Sequence, residues 1–242
     1  MRALLVRVGA DLSKSGGFWN GPVDPNTGEF VYVPIPEDNP RAGFELPYQL
    51  LSPALEKINW CLKEELLQRD MHRDPDFEYL TYGDQGQRAH QIQKTLCFGD
   101  LLVFYAGLRS IRPPCDLIYA IIGLYVVETI SLASCIPQND WHKYAHTRRV
   151  CDLSKELVVA AVPSISGRLS QCLPIGSFRR PADQPHKRPS YRVLPELLTA
   201  WGGLSVSDGF IQRSVFLPAF NDASRFYTWF KGQGVSFIQR NN

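Results

Sequence analysis

The loop after the first apolar run of this sequence holds the residues best suited to chemistry. Residues 3–8 are mostly apolar, and residues 9–24 then contain two aspartates, Asp11 and Asp24, with one asparagine, two aromatic residues and four glycines. Each glycine loses more conformational entropy on folding than any other residue. A loop with this many glycines is costly to order, which favours a functional role for it.

The side chains of this loop suit the recognition of a nucleotide. Phe18 and Trp19 can stack on a flat ring, and the Asn20 amide can read a base edge with a paired donor and acceptor. Asp11 and Asp24 can stabilise positive charge on a sugar or orient a water molecule. The alternative is a structural loop, in which Asn20 begins a tight turn, Asp11 caps it and Trp19 belongs to the core.

A second polar stretch, residues 71–84, contains four acids, one histidine and three aromatic residues. Its apolar side chains favour packing against the core, with the acids directed into a cleft. We expect Tyr82 and Asp84 to line a ligand site. Asp74 and Asp76 flank a proline and are expected to be turn or capping residues.

A basic, proline-rich segment spans residues 167–192, where six lysines and arginines stand against one acid. It is predicted to be a mobile loop that contacts a DNA backbone, because lysine and arginine release condensed counterions when they bind phosphates. A solvated loop without a partner is the alternative. The residues assigned to DNA-backbone contacts, in this segment and elsewhere, are Arg109, Arg148, Arg149, Arg179, Arg180, Lys187 and Arg188.

Metal binding is considered for a helix predicted over residues 139–149. His142 and His146 would lie one turn apart there, with Cys135 and Cys151 nearby. The sequence has no Cys-x-x-Cys pair and no His-Glu-x-x-His motif, so no metal ligand is assigned. The six cysteines stand singly, a usage typical of reduced thiols in a cytosolic protein.

The elements that must position these residues are those of an α+β fold. Apolar runs predict strands at residues 3–8, 29–35, 101–105, 117–127, 158–162 and 214–217. Capping signals and apolar spacing predict helices at residues 52–68, 87–95, 139–149, 195–201 and 222–230. We therefore predict one compact domain, residues 1–242, with a mixed central β-sheet flanked by helices.

Length and composition set the remaining limits. The 242 residues are 44% hydrophobic, which is ample for a packed core, and the net charge of +2 is too small to indicate a nucleic-acid partner by itself. The longest apolar stretch, residues 117–127, is too short to span a bilayer. We expect a soluble, cytoplasmic protein without a membrane partner; its oligomeric state stays open.

The middle of the chain resembles the PUA-like barrels, which include the EVE-type readers of modified bases. The resemblance is carried by a glycine-aspartate turn at residues 99–100, by an apolar strand that ends in Tyr105, and by a longer strand interrupted by Gly123. It implies a partly PUA-like sheet. Tyr105 joins the expected base-binding residues for this reason.

Four segments taken together resemble the nucleotide modification associated domain 3 family. They are residues 7–11, 19–24, 74–84 and 99–109, all in the first half of the chain. The resemblance implies an association with modified DNA bases in phage and phage-defence settings. It also implies a DNA glycosylase that acts on hypermodified phage bases, although it assigns no catalytic residue.

The resemblance and the residue chemistry together predict a glycosylase that flips a modified base, such as glucosylated hydroxymethylcytosine, out of phage DNA and leaves an abasic site. Asp11 or Asp24 would act at the sugar, and no cofactor is required. The expected base-binding residues are Phe18, Trp19, Asn20, Tyr82, Asp84 and Tyr105.

Three other functions fit the same residues. A reader would flip and bind a modified base without chemistry. A nuclease or nucleotide-processing enzyme would use aspartates of the two polar stretches, Asp11, Asp24, Asp74 and Asp76, with Mg²⁺. A structural or interaction protein is the third alternative, and the density of polar residues and glycines in two loops disfavours it.

Overall fold

The fold is taken from a computed structural model, which describes residues 1–182, 184, 186–212 and 215–242. The strands are β1 (Ala3–Arg7), β2 (Pro22–Val23), β3 (Ile35–Glu37), β4 (Asp70–His72), β5 (Thr81–Gln85), β6 (Leu101–Ser110), β7 (Leu117–Leu132), β8 (Glu156–Ala161), β9 (Gly167–Arg179), β10 (Ser190–Val193) and β11 (Phe237–Ile238). The α-helices are α1 (Ser52–Lys57), α2 (Gly86–Thr95), α3 (Pro195–Trp201) and α4 (Ala223–Lys231).

Nine strands within the described ranges form one mixed sheet, and β3 and β4 form a separate pair. β1 and β2 both run parallel to β6, whereas β6, β7, β8 and β5 follow one another in antiparallel order. β9 pairs with β7 and also carries β10 and β11. The mixed sheet with flanking helices confirms the predicted α+β class.

The sheet is buried on both faces, because the side chains of each strand alternate between two apolar clusters. On β6, Leu102 and Phe104 contact the cluster that includes α2, whereas Leu101 and Val103 contact the cluster that includes α3 and α4. A third, smaller cluster lies beside the 9–24 loop. This packing fixes the positions of β1 and β5, which carry the polar residues described below.

Most of the predicted elements are confirmed. The strand at 3–8 is β1, the strands at 101–105 and 117–127 lie within β6 and β7, and the strand at 158–162 corresponds to β8. The helices at 87–95, 195–201 and 222–230 are α2, α3 and α4. These segments have strong apolar periodicity or a clear cap, so their local signal agrees with the tertiary packing.

Four predicted elements are wrong. The helix at 52–68 stops at Lys57, because Asn59 has a left-handed φ of 54°. Residues 30–34 are buried but form only an isolated bridge, between Phe30 and Val23, so a strand begins only at Ile35. The helix at 139–149 is a 3-10 helix, Gln138–Lys143. Residues 215–217 form no strand, and Ser214 lies outside the described residues.

The basic segment is only partly a loop. Residues 167–179 form β9 and residues 190–193 form β10, and these two strands pair in an antiparallel hairpin. The connecting residues are 180–189, of which Asp183 and Pro185 are not described. The buried residues Leu169, Cys172 and Ile175 recur every third residue, and the pairing with β7 has register shifts, so the sequence of β9 lacks the alternation that predicts a strand.

All six cysteines are free thiols, and Cys172 is the buried one. Within the described ranges, no helix has both the length and the apolar character that crossing a membrane requires.

Candidate functional site

A cavity of about 580 Å³ opens where the C-terminal end of β1 meets β5, the residues after β4 and the segment 215–218. Its volume falls within the range of about 300–1,000 Å³ typical of small-molecule sites. Its charged wall residues include Arg7, Asp11, Asp74, Asp84, Arg88 and Arg149, and two tyrosines and two histidines also line it. Acids, cations and aromatic side chains therefore meet in one concave site.

Two histidines and an aspartate form a compact cluster in the cavity wall. The Nε2 atom of His146 lies 3.3 Å from Oδ2 of Asp74, and the Nε2 atom of His72 lies 4.0 Å from the same oxygen. The other oxygen of Asp74, Oδ1, accepts a hydrogen bond of 2.9 Å from the backbone N–H of Gly83. The backbone therefore fixes which oxygen of Asp74 faces the histidines.

Each histidine also contacts a second carboxylate, through its Nδ1 atom, on the side of the ring opposite Asp74. His72 Nδ1 lies 2.8 Å from Oε2 of Glu37, and His146 Nδ1 lies 2.5 Å from Oε2 of Glu156. Sheet pairing places these partners, because β3 carries Glu37 alongside β4, and β8 begins with Glu156 opposite the end of β5. The guanidinium of Arg149 lies 3.6 Å from Glu37.

The two histidines have opposite pKa shifts. Burial lowers the pKa of His72, although its hydrogen bond to Glu37 opposes the shift. Burial also acts to lower the pKa of His146, but hydrogen bonds to Asp74 and Glu156 outweigh it and raise that pKa to about 9. For Glu37, the hydrogen bonds from His72 and a backbone N–H outweigh burial and lower the pKa to about 2.

Gly83 is required for this arrangement. A Cβ atom at this position would lie 2.2 Å from Cδ2 of His146, closer than any real contact. Glycine lets the imidazole pack directly on β5 while its own N–H binds Asp74. The close approach of the histidine explains why a glycine interrupts this strand.

A hydrogen-bonded triad occupies the wall near α2. The hydroxyl of Tyr82 donates to Oδ2 of Asp84 at 2.5 Å, and Nε of Arg88 lies 3.1 Å from the same oxygen. Tyr82 and Asp84 are two residues apart on β5 and so project to the same side. Burial raises the pKa of Asp84, although Arg88 and Tyr82 oppose the shift.

The end of β1 supplies an ion pair to the cavity. Nη2 of Arg7 lies 3.0 Å from Oδ2 of Asp11, and the backbone N–H of Ser13 donates to Oδ1 at 2.7 Å. Arg7 is the register partner of Tyr105 on β6. The Tyr105 hydroxyl donates to the carbonyl of Ile211 at 2.6 Å, so this ring is fixed in the cavity wall.

Comparison with protein families bears on what such a site does. A family model described as nucleotide modification associated domain 3 matches residues 2–199. The chain belongs to this family. Comparison with curated proteins and with solved structures finds no significant match, so the likeness to PUA-like barrels stays a prediction.

Membership in the nucleotide modification associated domain 3 family sets the chain in the context of nucleotide modification. The matched region contains the whole cavity wall except the segment 215–218. The expected resemblance covered only the first half of the chain, whereas the match extends through β9 and β10 into α3. Most of the cavity wall therefore lies within the part of the chain that the family model matches.

The structure separates the two aspartates of the first loop. Asp11 lines the cavity, but Asp24 does not, and its carboxylate is bound by Arg112 at 2.8 and 3.0 Å. β2 pairs with the far end of β6, at Ser110, and carries Asp24 away from the end of β1. The expectation that both aspartates converge on one pocket is wrong.

The aromatic and amide residues of that loop also lie outside the cavity lining. Phe18 is 55% exposed, and Trp19 packs against the third apolar cluster. Asn20 is buried, and its Nδ2 donates to the carbonyl of Gly107 at 2.8 Å. Asn20 therefore ties the loop to β6, while Tyr82, Asp84 and Tyr105 are the predicted base-binding residues that the cavity brings together.

The predicted DNA-backbone residues have several environments. Arg148 is buried and pairs with Asp76 at 2.8 Å, so the prediction that it contacts DNA is wrong. Arg109 donates to the carbonyl of Cys115 at 2.9 Å, and Arg149 lines the cavity.

The basic residues of the β9–β10 hairpin also have different environments. Arg179 forms two short contacts, of 2.5 and 3.0 Å, with the carboxylate of Asp208. Arg180, Lys187 and Arg188 are exposed in the 180–189 connection. The cations of the connection are therefore open to solvent and stay predicted DNA contacts, whereas Arg179 is bound within the fold.

Sequence reasoning missed the histidine cluster. It paired His146 with His142, which the 3-10 helix leaves exposed, and it treated Asp74 as a turn residue. The one local signal was the spacing of His72 and Asp74 two residues apart after a short strand. The pairing with His146 depends on β5, because the ring packs against Gly83.

Proposed function

We propose that this chain is an enzyme that binds one nucleotide of DNA in the cavity and releases its modified base by hydrolysis of the N-glycosidic bond. The observation that carries the proposal is the composition of the cavity, in which the acids Asp11 and Asp84 lie with the cations Arg7 and Arg88 and with two tyrosine rings. The family's association with nucleotide modification supports the same substrate class.

Access to the base requires extrusion of the nucleotide, which costs a few kcal/mol. The rim of the cavity offers an apolar wedge for this step, since Val215 and Phe216 line it and are 66% and 60% exposed. Apolar side chains of this kind insert between base steps in proteins that distort DNA. Tyr82 and Tyr105 would contact the extruded base, and Arg7 would bind a phosphate or a sugar hydroxyl.

The chemistry requires a carboxylate at the sugar and a proton for the base. As the C1′–N bond breaks, positive charge develops on the sugar, and Asp11 stabilises it and orients the attacking water. The water oxygen bonds to C1′ and the water gives a proton to Asp11, while the electron pair of the C1′–N bond leaves with the base, which takes a proton from a second acid. Asp84 suits the donor role, because burial raises its pKa.

The test uses DNA with and without glucosylated hydroxymethylcytosine, with free base measured by mass spectrometry and abasic sites by alkaline strand cleavage. Asp11→Asn and Asp84→Asn are expected to lower the release rate about 100-fold or more, the effect of losing an acid or base catalyst. Asp24→Asn is the matched control and should keep wild-type release. Wild-type rates in both cavity variants would contradict the mechanism.

Two other outcomes lead to different functions. Tight binding of modified DNA without release of free base would indicate a reader. Strand cleavage that leaves every base attached would indicate a nuclease.

A further inference from the structure

We infer that His72, Asp74 and His146 bind one divalent transition-metal ion, zinc or iron(II), in the wall of the cavity. These are the residues in the described part of the chain whose ligand atoms converge in this way, with all three atoms within 4.8 Å of one another. Two imidazoles and one carboxylate are a ligand set used by both zinc hydrolases and iron(II) enzymes.

The ligand atoms lie close enough together to share one ion. Oδ2 of Asp74 lies 3.3 Å from Nε2 of His146 and 4.0 Å from Nε2 of His72. Ligands bound at about 2.1 Å lie roughly 3.0–3.4 Å apart around an ion. One of these distances already has that value, and rotation of the His72 ring by a fraction of an ångström at its edge brings the other to it.

The carboxylates that contact the Nδ1 atoms of the two histidines fix the tautomers that metal binding requires. Glu37 and Glu156 accept hydrogen bonds from the two Nδ1 atoms, which leaves each Nε2 directed at the Asp74 oxygen. A metal-binding histidine almost always donates its second ring N–H to a carboxylate or carbonyl in this manner. The N–H of Gly83 orients Asp74 in the same way.

The negative charge of the buried carboxylates around this site also favours the binding of a cation. Glu37, Asp74 and Glu156 have side-chain exposures of 7%, 8% and 5%. Among the described residues, Arg149 and, when protonated, His146 are the cationic groups within ion-pair distance of this set, which is fewer than its three carboxylates. Buried carboxylates require compensation by paired charges or metal ions, and a divalent ion between the three ligands supplies it.

The three ligands occupy one side of the ion and leave its other positions open to the cavity, because all three line it. An open position is the mark of a catalytic rather than a structural site. Imidazole ligands favour zinc or iron over Mg²⁺, which prefers oxygen ligands and keeps most of its water. The alternative Mg²⁺ site of Asp11, Asp24, Asp74 and Asp76 shares only Asp74 with this set, and arginines hold Asp24 and Asp76.

The chemical role of the ion rests on the function proposed above. A water molecule at an open position would have its pKa lowered toward about 7. That water gives a proton to Asp11, and its oxygen forms the bond to C1′ while the electron pair of the C1′–N bond leaves with the base. The base takes its proton from Asp84, and solvent exchange returns both carboxyl groups to their starting states.

The first measurement is metal content by mass spectrometry, on protein purified without chelator and, for iron, without oxygen. The wild-type chain should carry about one zinc or iron ion. His72→Ala and His146→Ala should carry none, and His142→Ala, an exposed histidine close in sequence, is the matched control and should carry the wild-type amount. Equal metal content in all four proteins would overturn the site.

The second measurement tests metal binding on the wild-type chain, so its result does not depend on whether the alanine variants fold. Metal-free wild-type protein should unfold at a higher temperature when Zn²⁺ or Fe²⁺ is added, and Mg²⁺ should have no such effect. Glu156→Gln keeps the shape of the second partner and should bind the ion about 10–100-fold more weakly. The site is refuted if neither ion raises the unfolding temperature of the wild-type chain.

Base release then separates this inference from the proposed function. Release that stops on chelation and returns with zinc or iron supports both. A bound ion without base release from any modified DNA refutes the proposed function but not the metal site. Base release that continues at the wild-type rate after the metal is removed refutes the chemical role of the ion and leaves the proposed function intact.

Discussion

Asp11 and Asp24 lie in the same loop but form ion pairs with different arginines. Arg7 lies at the end of β1 and holds Asp11 at the cavity, whereas Arg112 follows β6 and holds Asp24 away from it. The two carboxylates are alike in type and in local sequence. Their roles therefore differ because of the strand to which each partner belongs.

The Asp24 ion pair predicts a pH dependence of stability. Hydrogen bonds from Arg112 and from the backbone N–H of Asn26 lower the pKa of Asp24 from 3.8 to about 2. Because the folded-state pKa is lowered, the stabilisation is complete above about pH 4 and is lost as the pH falls through about 2. Asp24→Asn should therefore lower the unfolding temperature at neutral pH, and the difference from wild type should vanish near pH 2.

Calorimetry or circular dichroism across this range measures the effect. Arg112→Met is the reciprocal variant and should reproduce it, and the double variant should add little because both changes remove one interaction. A difference between wild type and Asp24→Asn that persists unchanged to pH 2 would show that the ion pair does not cause it.

At the scale of elements, the β9–β10 hairpin carries a group of exposed cations, Arg180, Lys187 and Arg188. Its strands are fixed by pairing with each other and, through β9, with β7, while Arg179 is bound by Asp208. The connection 180–189 therefore extends from a rigid base. A cationic loop on a rigid base suits contact with a phosphate backbone, since less ordering is required on binding.

Replacing Arg180, Lys187 and Arg188 by glutamine should weaken DNA binding and reduce the slope of log affinity against log salt by about 2–3, since each phosphate contact contributes about 0.9. Fluorescence anisotropy over a salt series measures both quantities. The matched control changes the same charge elsewhere, at the exposed residues Lys57, Lys94 and Arg225. An equal loss of affinity in both triple variants would mean that net charge, rather than the hairpin, determines binding.

At the scale of the whole molecule, residues near position 241 close the core beside the cavity. The side chain of Asn241 is buried, accepts a hydrogen bond of 2.9 Å from the backbone N–H of Phe77 and donates one of 2.9 Å to Asp76. Asn242 binds the backbone of Tyr32 in the same paired manner. These contacts join the end of the fold to the segment that carries Asp74.

Asn241→Ala should lower the free energy of unfolding by about 1–3 kcal/mol, because it leaves the buried N–H of Phe77 without an acceptor. Denaturant unfolding measures the change. Gln233→Ala removes an exposed side chain with one local hydrogen bond and should cost less than about 0.5 kcal/mol. Equal losses of unfolding free energy in the two variants would show that the buried hydrogen bond of Asn241 contributes no more than the exposed one of Gln233.

The sequence by itself determined the elements with a strong local signal. The apolar runs of β1, β6 and β7 lie where they are predicted, as do α3, which begins with Pro195, and α4, which Asp222 caps, because these signals act over a few neighbouring residues. The sequence also indicated Tyr82 and Asp84, which line the cavity, because acids and aromatic residues are dense in residues 71–84.

Only the tertiary structure decided the composition of the site. β3 and β4 have three residues each, too few to show a periodicity, yet their pairing joins Glu37 to His72. His146 reaches Asp74 because Gly83 leaves space for its ring, a steric fact that no local pattern contains. Partners that are distant in sequence meet through sheet register and packing, so the cluster became visible only once the strands were placed.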